Sequence, residues 1–447
     1  MVTGPKRRNL VVLLLSVLLP IIVLADDTEQ VKEATAAVAK AETKHEATDE
    51  AFRSGFGAIP SMGGPSGVAQ ELREQDRVRQ YRFNGLQRNL DGWFTWKKRV
   101  NQEHGLSLGF STTLLFQQAS DVLVEEDDAF GGLYRIQGNW VAAGRGTGHP
   151  GSVEFRVEYR ANIGAYTAPV DLAADVGIAS LNNAFGYTEL LKLDASVLHW
   201  AQFFANQRVG IVLGRVDFGA YFDPYPYQTF AAGFLNRGFV LNPTLAITGV
   251  GSLAGIVKGF VSDRIWLGGA FYDANAVNGE FDLDTFDWDE LLKHVEIGWT
   301  PSYERRRKTK ILLTYWEMDE RVAAGSPAGD GWALTINHKL DNGMLPFLRA
   351  GHSNGGGGAP AEEAIMVGFG WERANYDVFS LGVGWSDPSE KTFGPGLKNE
   401  KLLETSYRFQ MSPNLSLLPN LQIIFDPAKN PTEDSIWIIG LRARLDI

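Results

Sequence analysis

The feature that most constrains this chain is an alternation of period two that begins at Leu106 and returns until Ile447. Successive side chains of a strand point to opposite faces of a sheet, so this pattern builds one apolar face and one polar face. In LSLGFSTTLLF, Leu106, Leu108, Phe110, Leu114 and Phe116 share a face opposite Ser107, Gly109, Ser111 and Thr113. In SVEFRVEYR, Val153, Phe155, Val157 and Tyr159 oppose Ser152, Glu154, Arg156, Glu158 and Arg160. The pattern recurs through Val295, Ile297 and Trp299, through Trp332, Leu334, Ile336 and Leu340, and through Phe379, Leu381, Val383 and Trp385. It closes the chain, where Trp437, Ile439, Leu441, Ala443, Leu445 and Ile447 stand opposite Gly440, Arg442, Arg444 and Asp446.

A soluble β-sandwich alternates too, with one face buried and one wet. Here the polar face holds Gly, Ser, Thr and paired charges, the other face is large, and aromatics gather near strand ends. That is the composition expected where one face meets lipid and aromatic girdles mark the interfaces. The expected fold is all-β: a transmembrane antiparallel β-barrel over residues 86–447, of about sixteen strands at roughly 22 residues per strand and connection. The mean hydropathy of -0.13, which would suit a soluble protein, follows because two opposed faces cancel along each strand. One stretch, TLAITGVGSLAGIVKGFV (residues 244–261), is apolar on both faces. Its glycines, Lys258 and the preceding Asn242-Pro243 favour strand over membrane helix.

The N-terminus is of another kind. Lys6-Arg7-Arg8, the apolar run from Leu10 to Leu24 and Val23-Leu24-Ala25 predict a signal peptide over residues 1–25. Residues 26–54 predict a short helical segment, since Val31, Ala34, Val38 and Ala41 fall at a and d spacing, although alanine buries too little for a stable coiled coil. GFGAIPSMGGPSG (residues 55–67) opens a linker expected to run to residue 85. With 42 basic against 53 acidic residues and no cysteine, the chain is excluded as a basic nucleic-acid binder, a disulfide scaffold or a Cys-ligated metal protein.

Most candidate chemistry dissolves on inspection. GTGHPG (residues 146–151) has the dinucleotide-binding spacing but leads into a period-two strand, not a helix, and reads as a turn. DLDTFDWDE (residues 282–290) and VEEDDAF (residues 124–130) read as solvated acidic loops without the glycine and spacing of an EF-hand. Seven scattered histidines nominate no catalytic trio, so no catalytic residue, metal or cofactor is expected and an enzyme is disfavoured. The charges on strand faces remain. A charge facing hydrocarbon costs about 2 to 4 kcal/mol near the midplane, which turns Glu154, Arg156, Glu158, Arg160, Arg442 and Arg444 toward the lumen. There they either line a constriction or brace the wall.

Three segments carry a family resemblance. VGIVLGRVDFGAYFDPYPYQTFAAGFLN (residues 209–236), GMLPFLRAGHS (residues 343–353) and, most specific, ETSYRFQMSPNLSLLPNLQIIFDPAKNPTEDSIWIIGLRARLDI (residues 404–447) resemble the carbohydrate-selective outer-membrane porins of the OprB type. The resemblance implies a barrel in a bacterial outer membrane, crossed by sugars down their gradient, narrowed by inward loops, with the N-terminal helical segment on the periplasmic side. It adds Arg215, Asp217, Arg349, Glu404 and Arg408 as lumen candidates; in a channel for sugars, aromatics such as Trp266, Tyr272 or Trp316 would offer stacking surface. The apolar character of both faces around residues 210–214 leaves the direction of Arg215 open. Implied partners are carbohydrate solutes, outer-membrane lipids, the barrel-assembly machinery and a possible second copy. The competing expectation is a plugged structural or cell-wall-binding barrel; a barrel lipase ranks last, because no residues nominate its His-Ser pair.

Overall fold

The computed structural model of the protein describes residues 59–76, 85–124, 126–184, 186–188, 193–229, 233–281, 283–373 and 376–447. The expected signal peptide, the helical segment at 26–54 and the first residues of the linker lie outside them. Sixteen strands follow one another: β1 (Leu106–Ala119), β2 (Asp128–Ala143), β3 (Gly151–Asn162), β4 (Asp194–Phe204), β5 (Val209–Val216), β6 (Ser252–Phe260), β7 (Ile265–Asp273) and β8 (Leu291–Trp299). They continue as β9 (Lys310–Met318), β10 (Gly329–Asn337), β11 (Met344–Ser353), β12 (Ala361–Glu372), β13 (Val378–Pro388), β14 (Glu400–Gln410), β15 (Leu415–Phe425) and β16 (Ser435–Asp446). Each pairs antiparallel with its neighbours in sequence, and β16 returns to β1 with Ser111 opposite Asp446 and Ala119 opposite Ile438, closing the barrel. Closure leaves no unpaired edge, which is what lets strands cross lipid. Among the described residues no helix is long and apolar enough to cross a membrane.

The period-two faces fall as the alternation requires. Leu213, Val257, Val295 and Val383, each more than half exposed, belong to the outer face, while the alternate positions are buried within. Residues 244–261 divide: the strand begins only at Ser252, and residues 244–251 form turns packed inward, Leu245 and Ala246 being fully buried. Two glycines and an Asn-Pro ahead of the strand keep that stretch out of the wall.

Connections at the two ends differ in length. Residues 163–193, 217–251 and 274–290 are long, whereas 205–208, 261–264 and 411–414 are tight turns. Outer-membrane barrels keep their short turns on the periplasmic side. The two longest connections fold into the barrel. Phe222, Leu241 and Leu245 of 217–251 pack with the inward Val212, Ile256, Tyr272 and Trp316, and Phe234 and Phe239 pack with Phe347, Met366, Leu402 and Leu172. Trp266, Tyr272 and Trp316 therefore point inward but are covered, at 4%, 0% and 0% exposure, which removes them as open stacking surfaces.

Two helices precede the wall. α1 (Val68–Gln75) lies within the stretch expected as linker, and α2 (Gly85–His104) occupies the expected start of the barrel, so the first strand begins at Leu106, not at residue 86. The outer face of β1 receives α2, whose Trp93 ring stands 5.5 Å from that of Phe110. The last carbonyls of α2 are capped from the β2–β3 turn by Arg145, which takes Asn101, Gln102 and Glu103, while Trp140 Nε1 donates to His104 at 3.1 Å. By contrast α1 is inside.

Candidate functional site

The inner wall of β2, β3 and β16 is built from alternate polar residues, and α1 rests on it. Glu71 is the centre of the contact. Its carboxylate accepts from Arg135 Nη1 at 3.0 Å and from Gln137 Nε2 at 3.0 Å, with Arg156 Nη2 at 3.5 Å and Arg444 Nη2 at 4.0 Å. Burial alone pushes the Glu71 carboxyl up; Arg156, Arg135 and Arg444 outweigh it and hold the group below its ordinary value. The helix can approach because the wall is bare beneath it. A Cβ on Gly109 would meet Gln75 Oε1 at 2.0 Å, and one on Gly210 would meet Met62 Sδ at 1.9 Å. A small apolar patch of Ile59, Val68, Ala69, Leu72 and the wall residue Val197 completes the seat.

Around this carboxylate the wall charges neutralise one another. Glu158 accepts from Arg135 Nε at 2.8 Å and from Arg160 Nη2 at 2.6 Å. Arg156 pairs with Asp217 at 3.1 Å and donates to the Ser66 carbonyl at 2.6 Å. Glu154 accepts from Asn139 at 3.2 Å and faces His199 Nε2 at 3.7 Å. Arg444 pairs with Asp446 at 2.8 Å, and Arg442 lies buried beside Tyr187 and Glu404.

A second group of wall residues holds the two inward loops. Glu404 accepts from the backbone N–H groups of Leu235 and Asn236 at 2.7 and 3.2 Å and from Asn420 at 2.7 Å. Glu400, on the same face of β14, accepts from the N–H groups of Ala179, Ser180 and Leu181 at 2.7, 2.9 and 3.1 Å. On β11, Arg349 pairs with Asp223 of the 217–251 loop, donates to Thr335 Oγ1 at 3.2 Å and stacks on the Tyr225 ring at 4.1 Å. Arg408 is half-buried at the other end of β14 and donates to the Tyr376 carbonyl at 3.2 Å.

The structure thus gathers Glu154, Arg156, Glu158, Arg160, Asp217 and Arg444 into one network with Arg442 nearby, and leaves Arg349, Glu404 and Arg408 elsewhere on the wall. Arg215 stands apart. It pairs in register with Leu198 and Leu253 and so carries the parity of the outward Leu213, yet its guanidinium is covered by Asp194, the carbonyls of Ala195 and Glu280, and the Phe281 ring. Reasoning from sequence missed Glu71, Glu400, Arg135 and Gln137. Only the i, i+4 pair Val68 and Leu72 marks α1 in the sequence, and the polar residues between mask it.

Comparison with known proteins agrees with this architecture. The family model described as "Carbohydrate-selective porin, OprB family" matches residues 364–446, which takes in all but the last residue of the most specific of the sequence resemblances. Porin AaxA of Chlamydia abortus (strain DSM 27085 / S26/3) is 24% identical over 221 residues, 47% of this chain and 48% of the relative, and Porin AaxA of Chlamydia felis (strain Fe/C-56) matches to the same extent. The chain spans about half the length of the curated relatives it matches. Among solved structures, the high-pH form of Pseudomonas putida OprB superposes with a TM-score of 0.65 over 79% of this chain and 97% of that one, at 12% identity, and shows the shared fold. A closed barrel of this kind, with an apolar outer face, is a bacterial outer-membrane protein.

Proposed function

We propose that the protein is an outer-membrane porin that lets mono- or small oligosaccharides diffuse passively and selectively down their gradient. The observation that carries this reading is a polar arc of the inner wall, where Arg, Glu, Asn and Gln alternate along the neighbouring strands β14–β16 and β1–β3 of a closed barrel. Such groups can exchange the water on sugar hydroxyls for hydrogen bonds, and a pore needs that exchange to be weak enough for the solute to leave. Full-length protein in liposomes is expected to speed glucose entry over size-matched non-sugar solutes. Equal rates would remove the selectivity, and no entry would remove the channel.

A second reading, a plugged barrel without channel activity, is favoured by one observation: residues 59–76 occupy the lumen. The two readings part on a deletion. If glucose enters only through protein lacking residues 59–76, the intact barrel is plugged; if both forms admit it, the segment only narrows the route.

A further inference from the structure

The two ends of the barrel carry opposite charge. At the end of the long loops, residues 274–290 contain six carboxylates between Glu280 and Glu290 and neither Lys nor Arg, and Asp284, Asp287 and Asp289 are exposed. At the end of the tight turns, the β8–β9 connection runs Glu304, Arg305, Arg306, Arg307, Lys308. Tyr303 organises this turn. Its ring carries the guanidinium of Arg306 at 3.7 Å and that of Arg208, from the β4–β5 turn, at 5.2 Å, and its hydroxyl donates to the Gln207 carbonyl at 3.0 Å. It also meets Phe260 edge-on at 4.9 Å. Phe260 pairs in register with Trp266, an inward residue, so the platform hangs beneath the lumen side of β6–β8 and not on the lipid face. Arg305 and Lys308 are exposed beside it. Asp263, paired with Arg208, and Glu304 are the carboxylates among these groups, and the excess remains basic.

Resting on the porin reading above, we infer that the pore is electrically bipolar along its axis, an acidic outer mouth in series with a basic inner mouth, and that this arrangement disfavours ions of both signs while leaving neutral solutes unhindered. Screening decays over about 8 Å at physiological ionic strength, so the two mouths act as separate barriers. A cation is concentrated at the first and repelled at the second, and an anion meets the reverse. A neutral sugar meets neither. The same series makes ionic current depend on the sign of the voltage, since one polarity drives cations and anions together into the middle of the pore and the other empties it.

The test is the current–voltage curve of the full chain in a planar bilayer. In ~0.1 M KCl the currents at equal and opposite voltages are expected to differ by about twofold or more, and the ratio to fall to about one in ~1 M KCl, where screening is complete within about 3 Å. The double substitution Arg305→Glu with Lys308→Glu, both exposed turn positions, is expected to abolish the rectification at low salt and to raise cation preference several-fold, with glucose entry changed by less than about twofold. Arg305→Gln with Lys308→Gln should produce the same shift at about half its size. A straight curve at low salt from unmodified protein overturns the inference, and that measurement needs no variant. Loss of glucose entry together with all conductance in the unmodified protein would instead overturn the porin reading beneath it.

Discussion

Of the pieces of chain inside the barrel, the 217–251 loop and the 59–76 segment differ most in how much apolar packing backs their ion pairs. The 217–251 loop is attached by a wall carboxylate, Glu404, that takes its backbone N–H groups, and by a large aromatic cluster in which Phe234, Phe239, Tyr227 and Phe347 touch one another with ring centroids 4.7 to 5.9 Å apart. The loop also brings Asp217 and Asp223 to the wall cations Arg156 and Arg349, and the 59–76 segment likewise brings Glu71 to wall cations, but with only a small apolar patch beneath it. Apolar burial is additive and indifferent to pH, whereas a buried ion network depends on the charge of every member. The loop is therefore backed mainly by apolar packing, and the segment is a seated element whose hold centres on the ionised Glu71.

The sharpest way to break this contrast is Glu71→Ala. Removing one member of a buried charge network costs about 3 to 5 kcal/mol, and the small patch under α1 cannot replace it. Because the chain has no cysteine, Ser66→Cys would be a single reporter, buried in the seat at 6% exposure. Its labelling by a thiol reagent is expected to accelerate by about a hundredfold or more when Glu71 is replaced, at ~1.4 kcal/mol per factor of ten. In the loop, Phe239→Ala should cost a similar ~3 to 5 kcal/mol of local stability, but the remaining rings keep the loop inside. Amide exchange should speed around residues 234–241 while the labelling at position 66 stays unchanged.

Acid provides a smaller and reversible test. The Glu71 carboxyl is held below its ordinary value of 4.5 when seated, so seating is fully stabilised above that pH and weakens as pH falls through it toward the lowered value. Labelling at position 66 should rise on acidification below about pH 4.5 and return on neutralisation. Exchange of loop amides near residues 235–236 should not follow the same curve. The mildest perturbation is Glu404→Gln, which keeps an acceptor oxygen for one loop N–H and should cost about 1 to 2 kcal/mol, visible as faster exchange at Leu235 and Asn236 alone.

How far these features could be read from the sequence varies with how local their cause is. Strand identity and facing were legible, because Val153 through Arg160 or Leu106 through Phe116 state their own periodicity without reference to any partner. The inward direction of Glu154, Arg156, Glu158, Arg160, Arg442 and Arg444 follows from the same alternation. What these charges touch does not, since Glu71 lies many residues away in a segment whose glycines and prolines read as linker. Arg215 shows the limit from the other side: its strand neighbours are apolar on both faces because residues 217–251 cover the inner one and lipid the outer one. Glu404 and Arg349 were nominated through a motif, and the contacts that occupy them depend on loop conformations that no short pattern encodes.

The seam between β1 and β16 has a consequence for how the molecule comes into being. Every other strand finds its partner next to it in the chain, while β1 must wait for the last strand, across nearly the whole sequence. Until then two bare edges persist, each able to pair with the wrong chain. Loop closure over such a span is slow relative to the local hairpins, so the hairpin ladder should form early and the ring should shut in a single late event. A chain stopped before Ser435 would keep fifteen strands and yet have no barrel at all.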